Sequence, residues 1–160
     1  MNNFMLLILS VFLFSFTAHA AGRDDGLSAL NRQDYKTAFL CFQEAAASRD
    51  AEAQYRLGLL YEKGQGVRQD YDKAAYWYKK AVKQDHVLAQ NALGFLYYNG
   101  KGVPRDLVIS LALFNIAAAR GNADAFQNTY IAASNISFKN FDKAKHLSSH
   151  RKKLYAMIGG

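Results

Sequence analysis

His146 and His150 stand four residues apart, the spacing at which two imidazoles share one helical face and can grip zinc. No Glu lies between them, no third ligand is evident and the neighbouring residues are cationic, so the sequence argues against a metal there. Ser149-His150-Arg151-Lys152 has the Ser-x-x-Lys form of a β-lactam-reactive nucleophile, but the companion Ser-Asp-Asn and Lys-Thr-Gly elements are absent. Gly64-Gln65-Gly66 could cradle a phosphate after a strand; here it follows a helical pattern, and no Gly-Lys-Ser/Thr comes after it. Cys41 is the one cysteine, so no internal disulfide can form. It reads as a small apolar core residue more readily than as a reactive thiol. No nucleophile, base and orienting group converge. The expectation is a protein without enzymatic chemistry, cofactor or metal, with a cell-wall or β-lactam-related hydrolase as the alternative.

Two groups of residues suit binding instead. The first is a stripe that returns every 36 residues: Glu52, Tyr55, Leu59 and Glu62, then Leu88, Asn91, Phe95 and Tyr98, then Asp124, Gln127, Ile131 and Ser134. At 100° per residue it lies ~150° from the apolar face Ala53–Leu57–Tyr61 of the same helix. Tyr55, Phe95 and Tyr98 are side chains of the kind that dominate protein-binding hot spots, with Leu59, Glu62, Asn91 and Gln127 around them. The same stripe would also serve packing between successive helices, the plainer reading. The second group is the basic tail. Residues 137–160 hold Lys139, Lys143, Lys145, Arg151, Lys152 and Lys153 against Asp142 alone, which accounts for five of the chain's net +7 charges. Such a tail could draw the protein to an anionic lipid surface or glycan, or be a solvated capping face, the plainer reading. No nucleic-acid motif is present.

The elements that must position these residues follow from the repeat. Leu57-Gly58, Tyr61, Gly64, Gly66, Val67, Asp70 and Ala81 return as Leu93-Gly94, Tyr97, Gly100, Gly102, Val103, Asp106 and Ala117, without a gap. A fixed period of this length signals a repeat architecture. Each unit reads as an antiparallel helix pair joined by a Gly-x-Gly turn, with Asp34, Asp50 and Asp70 as caps, Ser137 and Asn122 as further candidates. Gly58 and Gly94 sit mid-helix, where glycine costs about 1 kcal/mol, so a neighbouring helix is expected to come too close there for a side chain. At the start of the chain, the apolar run Phe4–Phe16 followed by Thr17-Ala18-His19-Ala20 has the layout of a secretory signal peptide cut after Ala20. No Lys or Arg precedes that run. Export to the periplasm or outside the cell is the expectation.

The spaced residues Leu57-Gly58-x-x-Tyr61-x-x-Gly64-x-Gly66-Val67-x-x-Asp70-x-x-Lys73-Ala74-x-x-Trp77-Tyr78-x-Lys80-Ala81 resemble the Sel-one-like repeat, a relative of the tetratricopeptide repeat. The second unit departs at Ser110, Leu113 and Phe114, swaps that stay largely apolar. The family often has glycine between repeats; Gly121 fits, while Arg49 and Asp85 do not, so those two turns are expected to close differently. The resemblance implies an all-α fold, a right-handed α-solenoid of antiparallel helix pairs, with about six helices plus a capping helix. It implies a role in binding a protein partner and assembling complexes, often in bacterial envelopes, with the repeat supplying structure rather than chemistry. Cysteine-rich relatives are linked to β-lactam hydrolysis, but their paired cysteines are missing here. The expected organisation is a signal peptide at 1–20, a lead-in and half repeat at 21–50, and full repeats at 51–86 and 87–122. A degenerate third repeat at 123–136 and a basic capping helix at 137–160 complete it.

Overall fold

The computed structural model describes residues 22–159. The expected signal peptide and its cut site lie outside the described residues. Among the described residues there are nine helices and no strand. They are α1 (residues 22–31), α2 (Tyr35–Ala47), α3 (Ala51–Lys63), α4 (Tyr71–Val82), α5 (Val87–Asn99), α6 (Leu107–Ala118), α7 (Ala123–Ser134), α8 (Phe138–Ser149) and α9 (Arg151–Ile158). They build a right-handed solenoid in which α3 pairs with α4 and α5 with α6, while α2, α4 and α6 each pack on the first helix of the next unit.

Side-chain caps start the helices where the sequence places them. Asp34, Asp50, Asp70 and Asn122 accept hydrogen bonds from the backbone N–H groups of Thr37, Ala53, Lys73 and Ala125. Each such bond satisfies an orphan donor of a first turn, an effect worth about 1 kcal/mol. Asp106 does the same for Val108 and Ile109. His86 takes the equivalent place before α5, its ring nitrogen accepting from Ala89 N–H. Ser137 occupies the cap position of α8, but its side chain makes no capping bond.

The mid-helix glycines are explained by rings. A Cβ on Gly58 would lie 2.6 Å from the Tyr78 ring, and one on Gly94 would lie 2.7 Å from the Phe114 ring. Tyr78 and Phe114 are fully buried, so each second helix sets an aromatic ring against its partner's backbone. Residues 22–26, within the expected lead-in, are helical, because α1 makes the same contact on α2: a Cβ on Gly26 would meet the Phe42 ring at 2.7 Å. The α1–α2 turn is one helical turn shorter than the Gly-x-Gly loops, so the glycine under the ring moves from sixteen to twenty residues before it in the later units.

The turns between units close alike. Arg49 and Asp85 have φ of 71° and 61°, the left-handed conformation that Gly121 also adopts at 86°, so the expected difference from glycine is not realised. Asp85 has a reason to be there: its carboxylate accepts from the Tyr155 hydroxyl at 2.9 Å and pairs with Arg151 at 3.1 Å. The Arg49 side chain makes no hydrogen bond or ion pair among the described residues, so it carries the left-handed strain uncompensated. Arg49→Gly is expected to raise stability by about 0.5–1 kcal/mol, the strain relieved less the added freedom of the unfolded chain. Urea denaturation of the two proteins would check it.

The third unit departs most. Thr129 and Tyr130 stand where Leu93 and Gly94 stand one unit earlier. With Tyr130 there, no helix can lie on α7 as α6 lies on α5. α8 packs instead on α6, burying Ala144 and Leu147, and α9 turns back onto α4, burying Leu154 and Ile158. The single capping helix expected over 137–160 is thus broken at His150, whose backbone leaves the helical region (φ −114°, ψ 58°). Phe138 and Phe141 of α8 face solvent.

Candidate functional site

The recurring stripe lies along the first helices α3, α5 and α7, and the structure divides it into two parts. On α3 it is committed to internal contacts. The half-buried Tyr55 ring is stacked between Tyr78, 5.9 Å away, and His86, 5.0 Å away. His86 accepts at Nδ1 from Ala89 N–H, so Nε2 carries the proton and donates to Glu52 at 2.8 Å. Arg56 also donates to Glu52 and sets its guanidinium 5.5 Å from the Tyr55 ring centroid. Glu62 accepts from the Tyr78 hydroxyl at 2.6 Å. Burial pushes the Tyr78 and Tyr55 hydroxyls up from their ordinary values. Leu59 is half-buried beside them.

The hydrogen bond from His86, aided by Arg56 against the opposing cost of burial, holds Glu52 down at about 2. A depressed carboxylate stabilises the fold fully above its unfolded value near 4.5, and that stabilisation drains away as pH falls toward 2. Glu52→Gln should therefore flatten the acid limb of stability. Between pH 7 and pH 3 the wild type is expected to lose about 1 kcal/mol more than the variant, after discounting for partial exposure. Urea midpoints at the two pH values would measure it.

On α5 and α7 the stripe is open. Phe95 is 44% exposed, its inner edge resting at right angles on Phe114. Leu88 is 41% and Ile131 49% exposed, and Ile131 holds the place on α7 that Phe95 holds on α5. Asn91 accepts from Asn128 at 2.9 Å, tying the two helices together below this apolar strip. Tyr98 is half-buried, accepts from Asn135 at 3.3 Å and has the Arg105 guanidinium 6.0 Å from its ring centroid. Gln127 is exposed at the rim. Sequence reasoning placed Leu88 and Ile131 on the stripe without singling them out. It missed Phe126 and Tyr130, which stand out from α7 at 67% and 79% exposure. The signal for Tyr130 was present: it replaces a glycine that the earlier units keep over a buried ring.

In the tail, Lys139, Lys143, Lys145, Lys152 and Lys153 are exposed, whereas Arg151 is held by Asp85. The His146 and His150 rings stack at 4.2 Å. Ser149 Oγ donates to the His146 carbonyl at 2.8 Å, and His150 Nδ1 lies 2.9 Å from the same carbonyl and 3.0 Å from Ser149 Oγ. Among the described residues no three His, Cys, Asp or Glu side chains are placed to share a metal ion. Cys41 is half-buried, and burial pushes its thiol up, away from the reactive thiolate.

The family model of the Sel1 repeat matches three consecutive segments, residues 19–50, 51–86 and 87–122. The first is four residues shorter than the others, as the shortened α1–α2 turn requires. No curated protein matches the chain in a sequence search. Among solved structures, c5321, a protective antigen present in uropathogenic Escherichia coli strains and displaying an SLR fold, superposes with a TM-score of 0.81 at 32% identity. The match covers 88% of this chain and 31% of the antigen, so the chain spans about a third of that protein's length. A Sel1 repeat protein from Oxalobacter formigenes superposes at 0.65 with 26% identity over 77% of this chain and 96% of its own. Helicobacter pylori cysteine rich protein B superposes at 0.53 with 30% identity, covering 56% of this chain and 68% of that one.

Proposed function

Because the chain belongs to the Sel1 repeat family, whose members typically serve as protein–protein interaction scaffolds, we propose that it is a non-catalytic scaffold that binds a protein segment along α5 and α7. The observation that carries this reading is the run Leu88, Phe95 and Ile131. These large apolar side chains stay substantially exposed at stripe positions on two adjacent first helices, while Tyr55 on α3 is locked into the fold. Exposed apolar surface in register along a rigid frame is how a repeat protein recognises an extended or helical partner. Tyr98 and the Asn91–Asn128 pair supply polar edges beside it.

The partner is met after export, with residues 1–20 removed as a leader. Edman sequencing of the protein from envelope fractions tests that part: it should begin at Ala21, and a protein retaining Met1 in the cytosol would refute it. The binding part is tested by Phe95→Ala with Ile131→Ala. Both residues are exposed enough that folding should survive, and affinity for a partner captured with the wild type should fall about 10–100-fold, the loss expected for two hot-spot side chains. Unchanged affinity with circular dichroism intact would refute this face as the binding site.

A further inference from the structure

A groove of about 690 Å³ lies between the end of α2 and α4, its wall completed by Gln54, Gly102 and Gly159. Arg49, Lys79, Lys80 and Lys83 line it, and Asp72 is the only acidic side chain on its wall. None of the four cations forms an ion pair among the described residues, and only Lys83 has a neutral acceptor, the Gly159 carbonyl at 3.4 Å. Other cations of the chain are matched, Arg56 with Glu52, Lys73 with Asp70, Arg120 and Arg151 with Asp85, while Lys36, Lys63 and Arg68 form no ion pair among the described residues but lie outside this groove. The groove therefore gathers uncompensated positive charge in a concave setting, where field lines concentrate.

Tyr76 and Trp77 form part of the same wall, their rings meeting edge to face at 5.1 Å between centroids. Tyr76 is half exposed. The Lys80 ammonium lies 4.9 Å from the Tyr76 ring centroid and 5.6 Å from that of Trp77. One ammonium thus covers part of both rings, and the rings are nearly perpendicular. Flat bases could not stack between them. A saturated sugar ring, whose C–H edges rest against an aromatic wall while its acid groups meet the cations, fits both features.

We propose that this groove binds a polyanionic saccharide, with Arg49, Lys79 and Lys83 meeting its acid groups and Tyr76 and Trp77 its ring faces. The site is distinct from the strip on α5 and α7 and from the cations of α8 and α9. Its rings belong to one unit: Trp77 is replaced by Cys41 one unit earlier and Leu113 one unit later.

Trp77 is the only tryptophan of the chain, so its emission reports arrival at this groove and nowhere else. The purified full-length protein would be titrated at low salt, where screening is weak, with polygalacturonate, dextran sulfate, neutral dextran and oligothymidylate. The expected result is a saturable change in Trp77 emission with one or both acidic polysaccharides; which of them binds more tightly tells carboxylate from sulfate. Arg49→Gln/Lys79→Gln/Lys83→Gln should weaken binding about tenfold or more. Lys139→Gln/Lys143→Gln/Lys152→Gln removes the same charge from the tail and should change it less than about threefold. Equal losses in the two variants would overturn the proposal, since net charge alone would then explain the binding. It would also fail if Trp77 emission stayed constant at saturating polyanion, if neutral dextran bound as well as the acidic polymers, or if oligothymidylate bound more tightly than either.

Discussion

Gly102→Ala is expected to lower stability by about 3–5 kcal/mol, whereas Gly121→Ala should cost only about 1. Both glycines have positive φ, 63° and 86°, so both substitutions carry the left-handed penalty of an L-residue. They differ in what a methyl group would meet. At Gly121 nothing lies within 4 Å. At Gly102 the new Cβ would fall 2.1 Å from the carbonyl oxygen of Tyr71 and 2.3 Å from its carbon, backbone atoms that cannot rotate aside. The two units would have to part, and the core between α4 and α5 would open with them. Gly66 repeats the arrangement one unit earlier, 2.1 Å from the Tyr35 carbonyl. The second glycine of each Gly-x-Gly loop is thus where one unit touches the start of the previous second helix, and it fixes the stacking of units as much as the turn. Denaturant unfolding of the two variants separates the contributions. Similar losses would mean that backbone conformation, and not unit stacking, accounts for the loop.

Leu154→Ala should destabilise the protein by about 2–4 kcal/mol, and most of that loss should appear as detachment of α9. Leu154 is fully buried, yet α9 has only eight residues, too few to be helical without tertiary contacts. Leu154 and Ile158 anchor it, together with Tyr155, whose hydroxyl donates to Asp85 and accepts from Gln90. Burial and the Asp85 hydrogen bond push that hydroxyl up to about 12, so it keeps its proton in both bonds through the neutral range. Once α9 lifts, the basic run Arg151-Lys152-Lys153 becomes a trypsin site. Rapid cleavage there, with circular dichroism of the remaining helices nearly unchanged, is the expected pattern. Resistance equal to wild type would mean that α9 is held by something other than Leu154.

The frame was largely legible from the residues. The 36-residue period, the Asp caps and the mid-helix glycines each state a local rule, and the local rules agree: a ring lies on Gly58 and on Gly94, and an aspartate starts α3 and α4. What the sequence did not disclose depends on long-range choices. Tyr55 and Phe95 belong to the same stripe. Which of them is locked and which is open depends on His86 sitting over Tyr55 and on Asn91, with no ring to stack, at the equivalent place on α5. Arg49 and Asp85 looked unlike turn glycines, because intrinsic preference disfavours them at positive φ; Asp85 is held there by Tyr155 and Arg151, while Arg49 bears the cost without such contacts. The path of α8 across α6 follows from the loss of one glycine at position 130, a signal visible in the sequence but not one that says where the displaced helix will go. The groove beside Trp77 is the same kind of case: its cations come from α4 and from the turns that follow α2 and α4, spread over residues 49–83.

The central claim is that the repeats supply a frame and that the open strip on α5 and α7 does the binding. The most direct test places a photo-crosslinking phenylalanine analogue singly at Phe95, at Ile131 and at Tyr55 and irradiates the protein in its native cells. The account predicts one discrete protein adduct, shared by positions 95 and 131 and lost when Leu88→Ala is added, with none from position 55. An adduct from position 55 but not from 95 or 131, with all three proteins folded, would contradict it.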